Sequence, residues 1–345
     1  MTGPTGDRTP VVLVVDTGTD DAGAILWAAT DPRVELVAVV SDWGNVDVDR
    51  TTRNTLAVLH AAGRDDVPVF KGAGKTAAGT SPARFDASIV MGTDGLNGVE
   101  LPEPDRAPEA EGGAEAIVRL ASERPGELTL LAVSPFTPVA AALELDPDLP
   151  SKLWDVVVMG GSIHAGGNLS PVAEANIGND PAAADAMVRA FGRPGALASG
   201  RAPRMVPLDA THIGTISRAE VDAAAASTSP AGAALHQVWE ASWEFAALEA
   251  ADGLTVHDLL AAVCVVDDAV CHWHEMPLEV DTSGGAAWGM TVGDRRLAML
   301  EQSGMPAGEF DRLVELIGFA EARWNVALDA DVPRFRSFLH DWLGA

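Results

Sequence analysis

The sequence predicts an α/β fold, a mostly parallel central sheet with helices on both faces. Three observations carry that prediction. Strand-like and helix-like stretches alternate through the first two-thirds of the chain, the rhythm of βαβ units. The first apolar run, Val11–Val15, is unbroken Val and Leu, the mark of a strand buried on both faces. It ends at once in three carboxylates, Asp16, Asp20 and Asp21, around Gly18, and open α/β sheets place their ligands at such strand ends.

Strands are expected at Val11–Val15, Val34–Val40, Leu128–Val133 and Trp154–Met159. Helices follow them at about Asp21–Thr30, Asp49–Ala62, Thr137–Leu145 and Pro181–Ala190. Between them, Thr80–Gly113 is rich in Gly, Pro and Asp and reads as a long loop, a kind that is usually functional or disordered. From Ser217 to Val270 the signal turns helical, with an Ala-rich helix, a second over Ala231–Ala250 and a third from Thr255. We read this stretch as a helical insertion. Strands return at Leu278–Asp281 and Asn325–Leu328, and a last helix covers Pro333–Leu343. No linker or repeat divides the chain, so residues 10–345 are expected to form one domain behind a disordered stretch, 1–9. Cys264 and Cys271 lie on one expected helix, roughly 10 Å apart. That is too far for a disulfide, so two buried free thiols are expected.

The chain of 345 residues is 47% apolar, enough for a large core, and carries a formal charge of −27. That charge argues against nucleic-acid polymers and anionic membranes as partners. Lys71, Lys75 and Lys152 are the only lysines, few for phosphate esters. The polar start MTGPTGDRTP and the lack of an 18-residue apolar span lead us to expect a cytoplasmic protein.

Three features carry chemistry. In the acidic loop, Thr19 as a helix cap and the helix dipole would account for Asp20 and Asp21, but not for Asp16. Oxygen-only ligands also suit a hard cation such as Ca²⁺ or Mg²⁺, or a sugar diol. The G-x-G-x-x-G and G-x-x-x-x-G-K motifs of nucleotide-binding loops are absent, and Asp16 and Thr19 are spaced wrongly for a D-x-D-x-T phosphatase loop. The second feature follows the strand ending at Met159: Gly160-Gly161, then Asn168, Glu174 and Asn176. Amide and carboxylate groups together can read vicinal hydroxyls, or they can belong to a polar surface loop ending at an Asp180-Pro181 helix start. The third is Thr255-Val256-His257-Asp258, either a helix cap or an imidazole beside a carboxylate, able to give a proton near neutral pH.

Together these residues resemble the inosine–uridine-preferring nucleoside hydrolases. The family signature D-x-D-P-G-x-D-D-A is matched by Val14–Ala22, with Val14 in place of the first Asp and Thr17 in place of Pro. Further matches are Gly44-Asn45, Thr52-Arg53-Asn54, Met159-Gly160-Gly161 and Gly167-Asn168-x-x-Pro171-x-Ala173-Glu174-x-Asn176. Asp180-Pro181, Pro207-Leu208-Asp209-x-Thr211 and His257-Asp258 complete the set, in family order from about Val11 to Phe335. The resemblance implies a nucleoside-hydrolase-like fold and a Ca²⁺ site held by Asp16, Asp21, Asp258 and the Val133 carbonyl. It implies Asp20, Asn45 and Asn168 on the ribose diol, Glu174 and Asn176 at the 5′-hydroxyl, and Met159 beside them. Asp16 would be the general base and His257 the donor to the leaving base. The implied reaction is hydrolysis of a small-molecule ribonucleoside to ribose and base, in purine or pyrimidine salvage, by a homodimer or homotetramer.

Departures are Met91 where the family's H-G-x-x-G-L motif has His, Ala175 where Phe is frequent, and the absence of Tyr. Trp239 and Trp243, four apart on a helix, would either stack on the base or pack in the core. The alternatives are a hydrolase of another ribosylated metabolite, or a weakly catalytic nucleoside- or sugar-binding protein.

Overall fold

The computed structural model describes residues 6–76, 88–243, 253–296, 299–300 and 303–344. Its strands are β1 (Thr9–Val15), β2 (Val34–Ser41), β3 (Val69–Lys71), β4 (Glu109–Gly112), β5 (Thr129–Ala132) and β6 (Asp155–Met159). They continue as β7 (Arg204–Val206), β8 (Thr215–Ile216), β9 (Leu254–Thr255), β10 (Cys271–Val280), β11 (Thr291–Gly293) and β12 (Arg323–Ala330). Ten of them form one sheet in the order β11-β10-β12-β7-β6-β5-β1-β2-β3-β4, and β8 and β9 pair separately. The pairs from β12 through β7 to β4 are parallel, and β10 runs antiparallel to β12 and β11.

From β1 the chain first steps outward through β2, β3 and β4, then restarts on the other side of β1 with β5 and β6. The strand order therefore reverses between β1 and β5. Loops leaving two neighbouring parallel strands in opposite directions open a crevice there, and α/β sheets bind ligands in it. Asp16 and Val133 are the residues that follow these two strands.

Burial on both faces follows from the two-residue period of a strand. Val11, Leu13 and Val15 join the core under the helices Thr19–Thr30, Val48–Ala61, Gly232–Trp243, His257–Val263 and Val332–Leu343. Val12 and Val14 join the opposite core, under Gly113–Glu123, Thr137–Leu145 and Pro181–Phe191. Each such side chain contributes about 1.5–3 kcal/mol by leaving water.

Several expectations change. β1 begins at Thr9, inside the stretch expected to be disordered, and residues 1–5 lie outside the described residues. The long loop contains the helix Ser88–Met91 and β4, while residues 77–87 lie outside the described residues. The second helix of the insertion is described as Gly232–Trp243, its expected remainder again lying outside. The two cysteines do not share a helix. The helix ends at Val263 with Cys264 as its cap, and the chain turns into β10 at Cys271. This brings the two buried Sγ atoms to 3.6 Å, so the expected separation is wrong although both thiols are free.

Candidate active site at the strand ends

The carboxyl ends of β1, β2, β5 and β6 deliver the site. Asp16 follows β1 directly, and its Oδ2 accepts the Asn45 amide at 2.7 Å from the loop after β2. Asn45 also donates through Nδ2 to Asp21 Oδ2 at 3.1 Å and to the Asp16 carbonyl at 3.3 Å. Asp21 closes the loop by accepting the amides of Asp16 and Gly18, each at 3.0 Å. Gly18, not Thr19, is the N-cap of the helix Thr19–Thr30, so Asp21 performs the capping expected of Thr19.

The second arm comes from the insertion. The helix His257–Val263 starts after Val256 with no side-chain cap, so neither Thr255 nor Asp258 caps it. The Asp258 amide donates to Asp20 Oδ2 at 3.3 Å, joining the two arms. Asp16, Asp21 and Asp258 are all buried. Burial first, then Asp21, pushes the Asp16 carboxyl well above the usual range. Burial lifts Asp21 to about 6 against the pull of the Gly18 and Asp16 amides. For Asp258 burial again leads, and Asp20, Asp21, Asp16 and Glu174 add to the rise.

The third arm follows β6. Buried Glu174 caps the short helix Ala175–Asn179, accepting the Asn176, Ile177 and Gly161 amides at 2.8, 3.1 and 2.8 Å. Burial raises its pKa, while those amides and His257 oppose the rise. Asn176 Nδ2 donates to the Met159 carbonyl at 3.1 Å, which seats the buried Met159 behind the arm. Asn168 is exposed and accepts the Ala175 amide at 2.9 Å. Val133 is buried after β5, its amide donating to the Val14 carbonyl at 2.9 Å. Asp180 caps the helix Pro181–Phe191, as the Asp-Pro pair predicts, and also accepts the Thr137 hydroxyl at 2.8 Å.

His257 meets the Thr211 hydroxyl through Nδ1 at 2.7 Å, and the His212 ring stands edge-on to it with centroids 5.9 Å apart. The tryptophans divide. Trp239 is 2% exposed and packs in the core near Gly23 and Leu235, the second of its two expected settings. Trp243 is half-buried with the Arg218 guanidinium 4.9 Å over its ring. Met91 sits at the acidic loop, its Sδ 3.1 Å from Thr19 Oγ1. Two residues escaped the sequence reading. Buried Asp42 ends the strand β2, a position its apolar run could have flagged, and Thr211 stood in a matched motif without a role.

Among the described residues, no group of three or more His, Cys, Asp or Glu side chains converges closely enough to hold a metal ion as it stands. The donor chemistry still fits a hard cation: buried carboxylates raise one another's pKa, and a cation would relieve that repulsion. Backbone amides already occupy part of the acceptor capacity of Asp21 and Asp16, and lone pairs remain on both for a cation.

Residues 11–337 match the family model described as inosine-uridine preferring nucleoside hydrolase. The chain is 39% identical over 180 residues to "Probable uridine nucleosidase 2" of Arabidopsis thaliana, 52% of this chain and 56% of that protein. It thus spans about half the length of the uridine nucleosidases it matches. It is 34% identical over 290 residues to "Pyrimidine-specific ribonucleoside hydrolase RihA" of Enterobacter sp., 83% of this chain and 88% of that one. A solved plant nucleoside hydrolase superposes with a TM-score of 0.83 at 28% identity, covering 98% of this chain and 99% of its own. A purine-preferring ribonucleoside hydrolase from Gardnerella vaginalis does so with a TM-score of 0.81 at 27% identity, covering 97% and 98%. On the acidic loop, the strand-end arms and this full-length match, the chain belongs to the inosine-uridine preferring nucleoside hydrolases, a family of N-glycosyl hydrolases.

Proposed function

We propose that this chain hydrolyses the N-glycosidic bond of ribonucleosides to ribose and free base. The observation that carries the reading is the carboxylates held at the strand ends: Asp21 on the Asp16 and Gly18 amides, Asp16 on the Asn45 amide, Asp20 on the Asp258 amide and Glu174 on the Gly161 amide. N-glycoside cleavage passes through an oxocarbenium-like sugar, and buried carboxylates stabilise that positive charge more than they could in water. Asp16 accepts the proton of the attacking water. Asp20, Asn45 and Asn168 hold the ribose diol. Glu174 and Asn176 hold the 5′ end, with Met159 behind them. His257 gives a proton to the departing base.

Asp16, Asp21, Asp258 and the Val133 carbonyl would hold Ca²⁺. When bound, Ca²⁺ supplies positive charge that acidifies water and orients the diol. The deciding experiment is a panel of purine and pyrimidine nucleosides assayed for reducing sugar, with and without a chelator. Ribose release that fails on chelation and in Asp16→Asn is expected. Full turnover by Asp16→Asn would remove its role as base.

Met91 favours a second reading. It sets a thioether beside Thr19, where the family motif has His, so the same fold could act on another ribosylated small molecule. Inactivity on every common nucleoside, with ribose still bound, would favour it.

A further inference from the structure

We propose that Thr211 is the positioning residue for His257: its hydroxyl on Nδ1 sets the ring plane in which the imidazole works. Where it concerns turnover, this rests on the hydrolase reading above. Thr211 is wholly buried at the end of the helix Leu208–Thr211, with Oγ1 2.7 Å from His257 Nδ1. The segment that carries it is clamped. The Leu208 amide donates to the Gly161 carbonyl at 3.0 Å. Asp209 accepts the amides of Ile163 and His164, each at 2.8 Å. A β-branched residue on such a segment has little rotamer freedom, so its hydroxyl is a fixed point.

His257 is the opposite case. It is the first residue of its helix, where no preceding turn restrains the side chain, and the helix has no side-chain cap. Thr211 at Nδ1 and the edge of the His212 ring, 5.9 Å between centroids, restrain it from two sides. A hydroxyl both donates and accepts, so Thr211 holds Nδ1 in either tautomer and fixes the orientation of the ring. It also turns the Nε2 edge away from Thr211. One turn of chain thereby braces the loop after β6 and orients the imidazole of the insertion.

The test uses the full-length protein and two variants, Thr211→Val, which loses the hydroxyl, and Thr211→Ser, which keeps it. Imidazole ¹⁵N shifts, assigned to His257 by their loss in His257→Gln, report the hydrogen bond at Nδ1. Kinetics compare inosine or uridine with nitrophenyl riboside, whose leaving group needs no protonation. Thr211→Val is expected to change the His257 ¹⁵N pattern and to lower kcat on the nucleoside about 10–100-fold, with KM little changed. Nitrophenyl riboside should slow far less, and Thr211→Ser should restore both readouts. An unchanged ¹⁵N pattern, equal slowing of both substrates, or failure of the Ser variant to restore would overturn the proposal. If no nucleoside is turned over at all, the hydrolase reading fails, and the ¹⁵N comparison alone decides for or against Thr211. Should Thr211→Val not fold, Thr211→Ala takes its place in the same comparison.

Discussion

Asp42 shows what a buried acid does when it ends a strand. Neither of its oxygens has a hydrogen-bond partner in good geometry, and it has no exposure. Burial, with Asp180 adding to it, raises its pKa well above 3.8, and the Trp43 and Ala73 amides offset only part of the rise. An acid whose folded pKa lies above its unfolded one stabilises the fold fully below the unfolded value. That contribution is lost as pH rises through the folded value. Asn copies the protonated acid, so Asp42→Asn should raise the melting temperature at about pH 8 and change it little at about pH 4. A variant less stable than the parent at the higher pH would refute this. At this scale the site was partly legible. Asp16 and Glu174 stand next to strand ends or Gly pairs that any reader can find. Asp42 and Thr211 owe their chemistry to groups such as Asp180 and His257, far away in the chain, and local pattern carries no trace of that.

The turn after β2 is the element on which Asp16 depends. A Cβ at Gly44 would overlap the Asp16 carboxylate and press on Pro135 Cδ at 2.9 Å, so only glycine lets this turn close over the acidic loop. Gly44→Ala must therefore displace Asp16, and a shift of about 1 Å at a reacting group costs about 100-fold in rate. We expect kcat/KM on the nucleoside to fall by at least that factor while the far-ultraviolet circular dichroism stays that of the parent. Undiminished activity would mean that Asp16 is not held by this turn. Elements were legible where a short β-branched run was bounded by polar or Gly-containing turns, as in β1, β2 and β6. They were not where an apolar run is ambiguous between states. Leu259–Val266 is an unbroken apolar run, so the stretch from Thr255 read as one helix, yet the helix ends at Val263 and the chain re-forms as a strand at Cys271. Trp239 had two expected settings, and helical spacing alone could not choose between them; the tertiary fold buries its face in the core beside Leu235.

At the scale of the molecule, the switch point between β1 and β5 and the formal charge of −27 act on the same site. Acids crowded into the crevice repel one another, and a strongly negative surface adds no compensating cation. Two remedies are available, and they differ in how salt affects them. General screening by sodium chloride weakens interactions between exposed charges more than about 8–10 Å apart and barely touches buried ones. A divalent ion bound in the crevice acts on the buried acids themselves and stabilises by about 2.7 kcal/mol at a hundred times its dissociation constant. The melting temperature should therefore rise with Ca²⁺ well beyond the rise from sodium chloride of equal ionic strength, and fall back on chelation. Asp258→Asn should abolish the Ca²⁺-specific part and leave the response to sodium chloride intact. Asp258 comes from the insertion and Asp21 from the first helix, so the bound ion would tie two separately built parts of the chain together. Equal rises from the two salts would place the stabilisation on the surface charge and take the ion out of the crevice.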